Sequence, residues 1–310
     1  VKSQELSSSI PKGFKGEALF MEPMKNHTSL KIGGPADIFT VPQDMTSLTD
    51  LHRTLKKRGV PVFPIGGGTN MLVNDGGIEG CVISLRSFRR IGVSHRNETN
   101  LFLVVEAGTP LQRLVHYAAE NGYEGIEGLA GIPGTVGGAI CGNSGSFGYE
   151  MKDVLVSIEI MDGAGKVERI NADGIQFGYR RSAIPPDTFI LNAEIKLGTH
   201  TKEEVTAKTE QFLSEKRLQQ PIWEPSAGCV FKNPSGVAAG KMIDEAGCKK
   251  LRIGDAEVSA LHANFFINKG KASASDFLRL MEEVSRKVNE KFGVTLEPEI
   301  KIVGRVSVNG

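Results

Sequence analysis

Gly125 to Gly148 reads GIEGLAGIPGTVGGAICGNSGSFG, and nine of its 24 residues are glycine in a chain with 37 glycines among 310 residues. Glycine costs backbone entropy and packs no side chain, so a cluster this dense needs a physical reason. Either several turns demand positive φ, or bare backbone comes close to something flat and polar. A ligand carrying a pyrophosphate asks for both, because N–H groups in a curved loop form an anion-binding concavity. The competing reading is a flexible linker. Linkers carry serine and other polar residues, whereas Leu129, Ile132, Pro133, Val136, Ile140 and Phe147 are interleaved with these glycines. The stretch is expected to be an ordered, ligand-facing loop.

On its upstream side, LFLVVEA (101–107) reads as a strand, and Thr109-Pro110-x-Gln112 predicts a helix start. Thr109 would cap, Pro110 would take the first helical position and Gln112 would complete a capping box. Leu111, Leu114, Val115 and Ala118 form the apolar face, and Gly122 ends it. Downstream, VLVSIEIM (154–161) and KVERI (166–170) flank Asp162-Gly163-Ala164-Gly165 as a β-hairpin. TFILNAEIKL (188–197) alternates as a further strand.

Nearer the start of the chain, residues 1–24 show no sustained period and are expected to be an N-terminal arm. A strand, ADIFTV (36–41), precedes a helix capped by Asp44 or Thr46, with Leu48, Leu51 and Leu55 on one face and Gly59 at its stop. PVFPI (61–65) is a short strand running into GGGTN (66–70), and CVISL (81–85) follows. A triple glycine thus stands at the carboxyl end of a strand, where ligand crevices of α/β sheets lie. GGGTN is not G-x-G-x-x-G, and MLVNDGG after it does not open a helix, which disfavours a Rossmann dinucleotide site. GGGTN reads as a phosphate-cradling loop, with a simple turn as the alternative.

Near residue 200 the texture changes. Thr201-x-x-Glu204 opens a long polar helix to about Gln219, closed by Pro221. SAGCVFKNP (226–234), a short helix (238–246), a strand ANFFIN (263–268) and a second helix capped by Ser273 with Asp276 three residues on make a further α/β domain. The tail PEIKIVGRV (298–306) alternates as a strand able to return to either domain.

Hydrophobic residues at 40% and charged residues at 24% are those of a globular protein. A net charge of +1 without a basic run gives no footprint for nucleic acid or an anionic membrane. No apolar run reaches the ~18 residues of a bilayer span, and the first residues lack the apolar core of a secretory signal. Cys81, Cys141, Cys229 and Cys248 are widely spaced, which argues against a disulfide framework or a metal site and for a reducing cytoplasm.

Three short segments combine reactive side chains with turn residues: FGYRRSAIPP (177–186), SAGCVFKNP, and Glu297-Pro298-Glu299-Ile300. Taken singly, Arg180 reads as a surface charge, Cys229 as a small hydrophobe and Glu299 as a solvated carboxylate. Chemistry alone leads to a protein that binds a phosphorylated cofactor, with its activity open.

Taken together, the segments go further. HTSLKIGGPAD, IGGGTNMLV, GLAGIPGTVGGAICGNSGSFG, YRRS, PSAGCVFKNP, HANFFIN and EPEI occur in this order. The chain resembles the UDP-N-acetylenolpyruvoylglucosamine reductase family from about residue 25 to residue 304. The 49 positions between Arg180 and Cys229 resemble the family's shorter form. The resemblance implies an α+β protein with an FAD-binding fold of the vanillyl-alcohol oxidase class and a C-terminal substrate-capping domain. Its parts would be 1–85 with 297–310, 86–198, and 199–296. It implies non-covalent FAD and NADPH as co-substrate, acting on a UDP-sugar in peptidoglycan precursor synthesis.

The same resemblance implies the site residues. Gly66, Gly67, Gly68, Thr69 and Asn70 would hold the cofactor in the first loop. Gly131, Ile132, Pro133, Thr135, Gly138, Ala139, Asn143 and Gly145 would do so in the second. Arg180 would stabilise developing charge, Glu299 would polarise the same intermediate in its protonated form, and Cys229 would stand where many members carry a proton-donating serine. Tyr179, Lys232 and Asn233 would contact substrate. Two rivals are a flavin oxidase of the same fold, which would often tether its flavin through His or Cys, and a catalytically silent flavin- or nucleotide-binding protein.

Overall fold

A computed structural model of the chain describes residues 7–234 and 236–306; the first six residues of the expected arm and residues 307–310 lie outside the described residues. The chain divides into two compact units. One comprises Val1–Phe20, Ile38–Gly67 and Gly80–Glu215, the other Met21–Asp37, Gly68–Glu79 and Lys216–Gly310. The division falls inside the triple glycine, after Gly67.

In the first unit, Asp44 caps the helix Met45–Lys57 by accepting from Ser47 N–H at 2.7 Å. Leu48, Leu51 and Leu55 are buried together with Ile38, Cys81 and Ile83, because a 3.6-residue period puts them on one face. Strand Val62–Ile65 lies parallel to Ile78–Ser84, with Val62 opposite Cys81 and Ile65 opposite Ser84. The full order of this sheet is Gly16–Pro23, Pro35–Pro42, Ile78–Ser84, Val62–Ile65. Residues 16–23 are therefore a strand, not part of an irregular arm. The stretch leaves none of its side chains fully covered, so its sequence carries no alternation to read.

A second sheet is antiparallel, in the order Val167–Asn171, Leu155–Met161, Phe189–Thr199, Asn100–Glu106, Ile91–Arg96, with Tyr123–Glu124 also pairing to Phe189–Thr199. Its hairpin at 162–165 forms as expected: Met161 faces Val167, and the Asp162 carboxylate accepts from Ala164 N–H and Lys166 N–H. Leu103, Val105, Leu114, Ile140, Ile158 and Ile195 are among the side chains of its core.

The helix Leu111–Glu120 departs from its expected start. Pro110, at ψ 130°, holds the cap position and makes no side-chain cap bond. Thr109 is buried, and its hydroxyl has no hydrogen-bond partner among the described residues. Gln112 is drawn away into the glycine loop.

The second unit holds a four-stranded antiparallel sheet, Ser226–Cys229, Phe265–Asn268, Ala256–Val258, Arg252–Ile253. Phe277, Leu280 and Val284 of the helix Ala274–Phe292 pack in one core with Phe266, Val258 and Ile243. Ser273 and Asp276 form the expected capping box, and Gly293 closes this helix in the left-handed conformation. Within the tail the strand is short, Lys301–Val303, and lies parallel to Met71–Val73. No helix among the described residues is long and apolar enough to cross a membrane.

Candidate functional site

In the first unit the two glycine loops meet. A Cβ on Gly66 would stand 2.8 Å from Thr135 Oγ1, so a side chain there would have to displace the Thr135 hydroxyl, and it would lie 3.6 Å from Gly138 Cα. Thr135 caps the short helix Val136–Cys141, accepting from Gly138 N–H. Gly66, Gly67 and Gly138 are exposed, leaving bare backbone where the loops adjoin.

Gln112 holds the loop from beneath. Its Nε2 donates to Leu129 O at 3.1 Å and to Ile132 O at 2.7 Å, while Oε1 accepts from Gly131 N–H at 2.7 Å. One amide thus satisfies three groups of a segment that has no ladder of its own. Glu127, almost fully buried, adds a second clamp by accepting from Gly125 N–H at 2.6 Å, with Lys208 3.5 Å from its carboxylate.

Arg180 stands at the tip of a hairpin, Phe177–Gly178 against Arg181–Ser182, whose two-residue loop is Tyr179-Arg180. Its φ is +56°, and its guanidinium carbon lies 5.2 Å from the Tyr179 ring centroid. Tyr179 is 47% exposed. Asn143, fully buried, donates to Gly178 O at 3.1 Å, and Ser182 Oγ donates to Cys141 O at 2.9 Å. Asn143 also reaches Glu150 at 3.2 Å and accepts from Lys152 N–H at 3.1 Å. The Lys152 hydrogen bond holds the Glu150 carboxyl below the usual carboxylate range, with Asn143 and the Arg180 charge acting in the same direction against partial desolvation.

In the second unit, the remaining candidates are organised by backbone. Gly68, at φ +63°, passes so close to His27 O that a Cβ would lie 2.0 Å from it. Ser29 N–H donates to Gly68 O, and Ser29 Oγ donates to Ser226 O at 2.6 Å. Cys229 is half-buried and stands opposite Phe265 across the sheet. From there the chain pairs with the C-terminal segment. Glu299 N–H donates to Val230 O, Lys232 N–H donates to Glu297 O, each at 2.8 Å, and Phe231 bridges Pro298. Asn70 joins them, its O accepting from Lys301 N–H at 3.1 Å and its Nδ2 lying 3.4 Å from Glu299 O. Within this unit the structure therefore brings together Asn70, Cys229, Lys232 and Glu299. Lys232 is ion-paired with Glu297. Asn233 Oδ1 accepts from Ala239 N–H at 2.9 Å, at the start of the helix Ala239–Glu245.

Comparison with known proteins decides what this arrangement belongs to. Residues 36–171 match the FAD binding domain family, and residues 220–303 match the C-terminal domain of UDP-N-acetylenolpyruvoylglucosamine reductase. The reductase of Geotalea uraniireducens is 40% identical over 290 residues, covering 94% of this chain and 95% of that protein. That of Caldanaerobacter subterraneus subsp. tengcongensis is 42% identical over 291 residues, with the same coverage. The chain belongs to the UDP-N-acetylenolpyruvoylglucosamine reductase family. The crystal structure of the Thermus caldophilus reductase superposes with a TM-score of 0.79 at 34% identity, covering 94% of this chain and all of that one.

As a member of this reductase family the protein is a flavin-dependent oxidoreductase that reduces UDP-N-acetylglucosamine enolpyruvate to UDP-N-acetylmuramate, a peptidoglycan precursor, by means of FAD. The residues present fit that cofactor. The Gly66–Thr135–Gly138 approach leaves exposed backbone on two adjoining loops, the surface a pyrophosphate needs. Sequence reasoning missed Gln112, whose position suggested a cap, and the structural work of Ser182. The signal for Gln112 was an amide side chain one helix away from a loop without strand pairing, which no local pattern reports.

Proposed function

We propose that Arg180, Cys229 and Glu299 carry the chemistry of the reduction, with NADPH as the hydride source. FAD, held non-covalently by the two glycine loops, would when bound provide from its N5 the hydride that C3 of the enolpyruvyl group needs. Arg180 faces the carboxylate of the substrate and stabilises the negative charge that grows there, a task suited to a fixed guanidinium fork. Glu299 in its protonated form polarises the same carboxylate, and Cys229 gives the proton that C2 needs. Tyr179, Lys232 and Asn233 bind the substrate's phosphates and carboxylate.

Gly66, Gly67, Gly68, Thr69 and Asn70 hold the cofactor together with Gly131, Ile132, Pro133, Thr135, Gly138, Ala139, Asn143 and Gly145. For Asn143 this role falls to the backbone, because its side-chain amide is engaged by Gly178, Glu150 and Lys152. The working parts are 1–85 with 297–310, 86–198 and 199–296, and the enzyme acts in the cytoplasm. The pairing of Lys301–Val303 with Met71–Val73 supports joining the tail to the first part.

The observation that carries the reading is the backbone ladder that sets Glu299 one residue from Cys229 in register, through Glu299 N–H to Val230 O. The purified protein is expected to be yellow, to bleach with NADPH and to regain colour with the enolpyruvyl substrate. Arg180→Ala is expected to bleach normally and regain colour on the order of 10²–10³ more slowly. A colourless protein that takes up no FAD would sink the reading, and equal slowing of both half-reactions would make Arg180 structural.

A further inference from the structure

Arg180 occupies a position that its own sequence disfavours. The second residue of a two-residue hairpin loop at positive φ is ordinarily glycine or asparagine, yet here an arginine sits at φ +56°. Such a conformation persists only where surroundings over-determine it. The surroundings are on both legs of the hairpin, and both lead to one short stretch, residues 141–143. Gly178, before the loop, is held through its carbonyl by Asn143 Nδ2 at 3.1 Å. Ser182, after the loop, donates to Cys141 O at 2.9 Å. The clamp is itself fixed. Asn143 is fully buried, and its amide uses both donors and its acceptor on Gly178, Glu150 and Lys152. An aspartate there would lose the two donors, and a hydrophobe all three bonds.

We infer that Asn143 and Ser182 are positioning residues for Arg180, strapping its hairpin to the end of the glycine loop so that the guanidinium meets the developing charge in one orientation. The inference rests on the charge-stabilising role proposed for Arg180. It assigns Ser182 a function that neither its exposure nor its place in the strand requires, and gives the Asn143 side chain a task apart from the cofactor.

The test is a double-mutant cycle on the two half-reactions, followed by stopped-flow absorbance of the loaded enzyme, with FAD affinity and thermal midpoint measured alongside. Ser182→Ala is expected to leave FAD affinity and NADPH bleaching within about twofold of the parent. Reoxidation by the enolpyruvyl substrate should slow about ten- to a hundredfold, the scale of a misplaced catalytic group. Ser182→Thr, which keeps the hydroxyl, should restore most of that rate. In an Arg180→Ala background, Ser182→Ala should add nothing, because the group it positions is gone. Asn143→Gly keeps a backbone able to adopt positive φ, removes the amide and should show the same non-additivity. The same slowing in both backgrounds, or equal slowing of the two half-reactions, overturns the inference. So does a parental reoxidation rate in Ser182→Ala while Arg180→Ala is slow. If Arg180→Ala itself reoxidises at the parental rate, the role proposed for Arg180 falls, and the inference falls with it.

Discussion

Two regions bear the candidate site residues, and they are held in different ways. The glycine loop of the first unit is held by side chains: Gln112 on Leu129, Gly131 and Ile132, Glu127 on Gly125, and Asn143 and Ser182 on the Arg180 hairpin. The segment 229–233 of the second unit is held largely by main chain, with one side chain from outside it: the buried Asn264 accepts from Phe231 N–H at 3.0 Å and donates to Phe231 O at 2.8 Å. Val230 N–H donates to Asn264 O, Val230 O accepts from Glu299 N–H, and Lys232 N–H donates to Glu297 O. The difference teaches where substitutions can act. In the loop, a side chain change alters geometry two or three residues away. In the ladder, the main-chain bonds on either side of residue 229 do not depend on its side chain, so a change at Cys229 is expected to act chiefly on the chemistry.

Cys229 is therefore the sharpest probe of that contrast and carries the largest expected effect. A proton donor contributes typically 10²–10⁴ in rate, and Cys229→Ala is expected to lose reoxidation by about that much while NADPH still bleaches the flavin. Cys229→Ser should remain active. A free thiol ionises near ~8.5, whereas a serine hydroxyl stays protonated, so the serine variant should lose the alkaline decline that a thiol donor imposes. Stopped-flow traces across pH decide it. Normal reoxidation in Cys229→Ala would remove the thiol from the mechanism, and loss of FAD from that variant would break the contrast by making Cys229 structural.

Gln112→Ala probes the other side. Three hydrogen bonds to the loop disappear, and the Leu129 and Ile132 carbonyls and the Gly131 N–H must find other partners. FAD affinity is expected to weaken about tenfold, equivalent to the ~1.4 kcal/mol that one or two net hydrogen bonds supply. Titration of the apoprotein with FAD measures it. An unchanged affinity would show that the loop holds its shape without the amide.

How much of this was legible in the sequence follows the same division. Features written in local chemistry came through: the Asp44 cap, the Ser273–Asp276 box, the Asp162–Gly165 turn, and the triple glycine at the end of a parallel strand. Each depends on residues within a few positions. Features set by distant partners did not. Gly16–Pro23 became a strand through its sheet neighbour and not through alternation. Ile91–Arg96 is an exposed edge strand with no apolar face to announce it. The tail alternates over nine residues but splits its pairing, Pro298 and Glu299 with residues 230–231 and Lys301–Val303 with Met71–Val73. The Thr109-Pro110-x-Gln112 pattern pointed to a cap, yet Gln112 had a better partner in a loop 17 to 20 residues away. Of the site, YRRS, GCVFKNP and EPEI were legible as a set through the family resemblance. The clamp beneath Arg180 was not, because it links residues 35 and 41 positions apart.

Thr109 gives the smallest expected effect and the finest test of how the loop is held. It lies directly before the helix that carries Gln112, and its backbone is engaged: the carbonyl accepts from Val136 N–H at 2.9 Å and the N–H donates to Glu106 O at 3.0 Å. Its hydroxyl is fully buried with no partner among the described residues. A buried hydroxyl left in that state costs ~1–3 kcal/mol of desolvation, and replacing it by an apolar group of the same shape removes the cost. Thr109→Val keeps both backbone bonds and the branched outline. It is expected to raise stability by ~1 kcal/mol in a denaturant titration and to leave FAD affinity and both half-reactions unchanged. A loss of FAD affinity in this variant would mean that the hydroxyl serves the loop or its ligand, and would add Thr109 to the side chains on which the loop depends. A gain in stability with unchanged affinity would confine that set to Gln112 and Glu127 on this side of the loop, as the hydrogen bonds indicate.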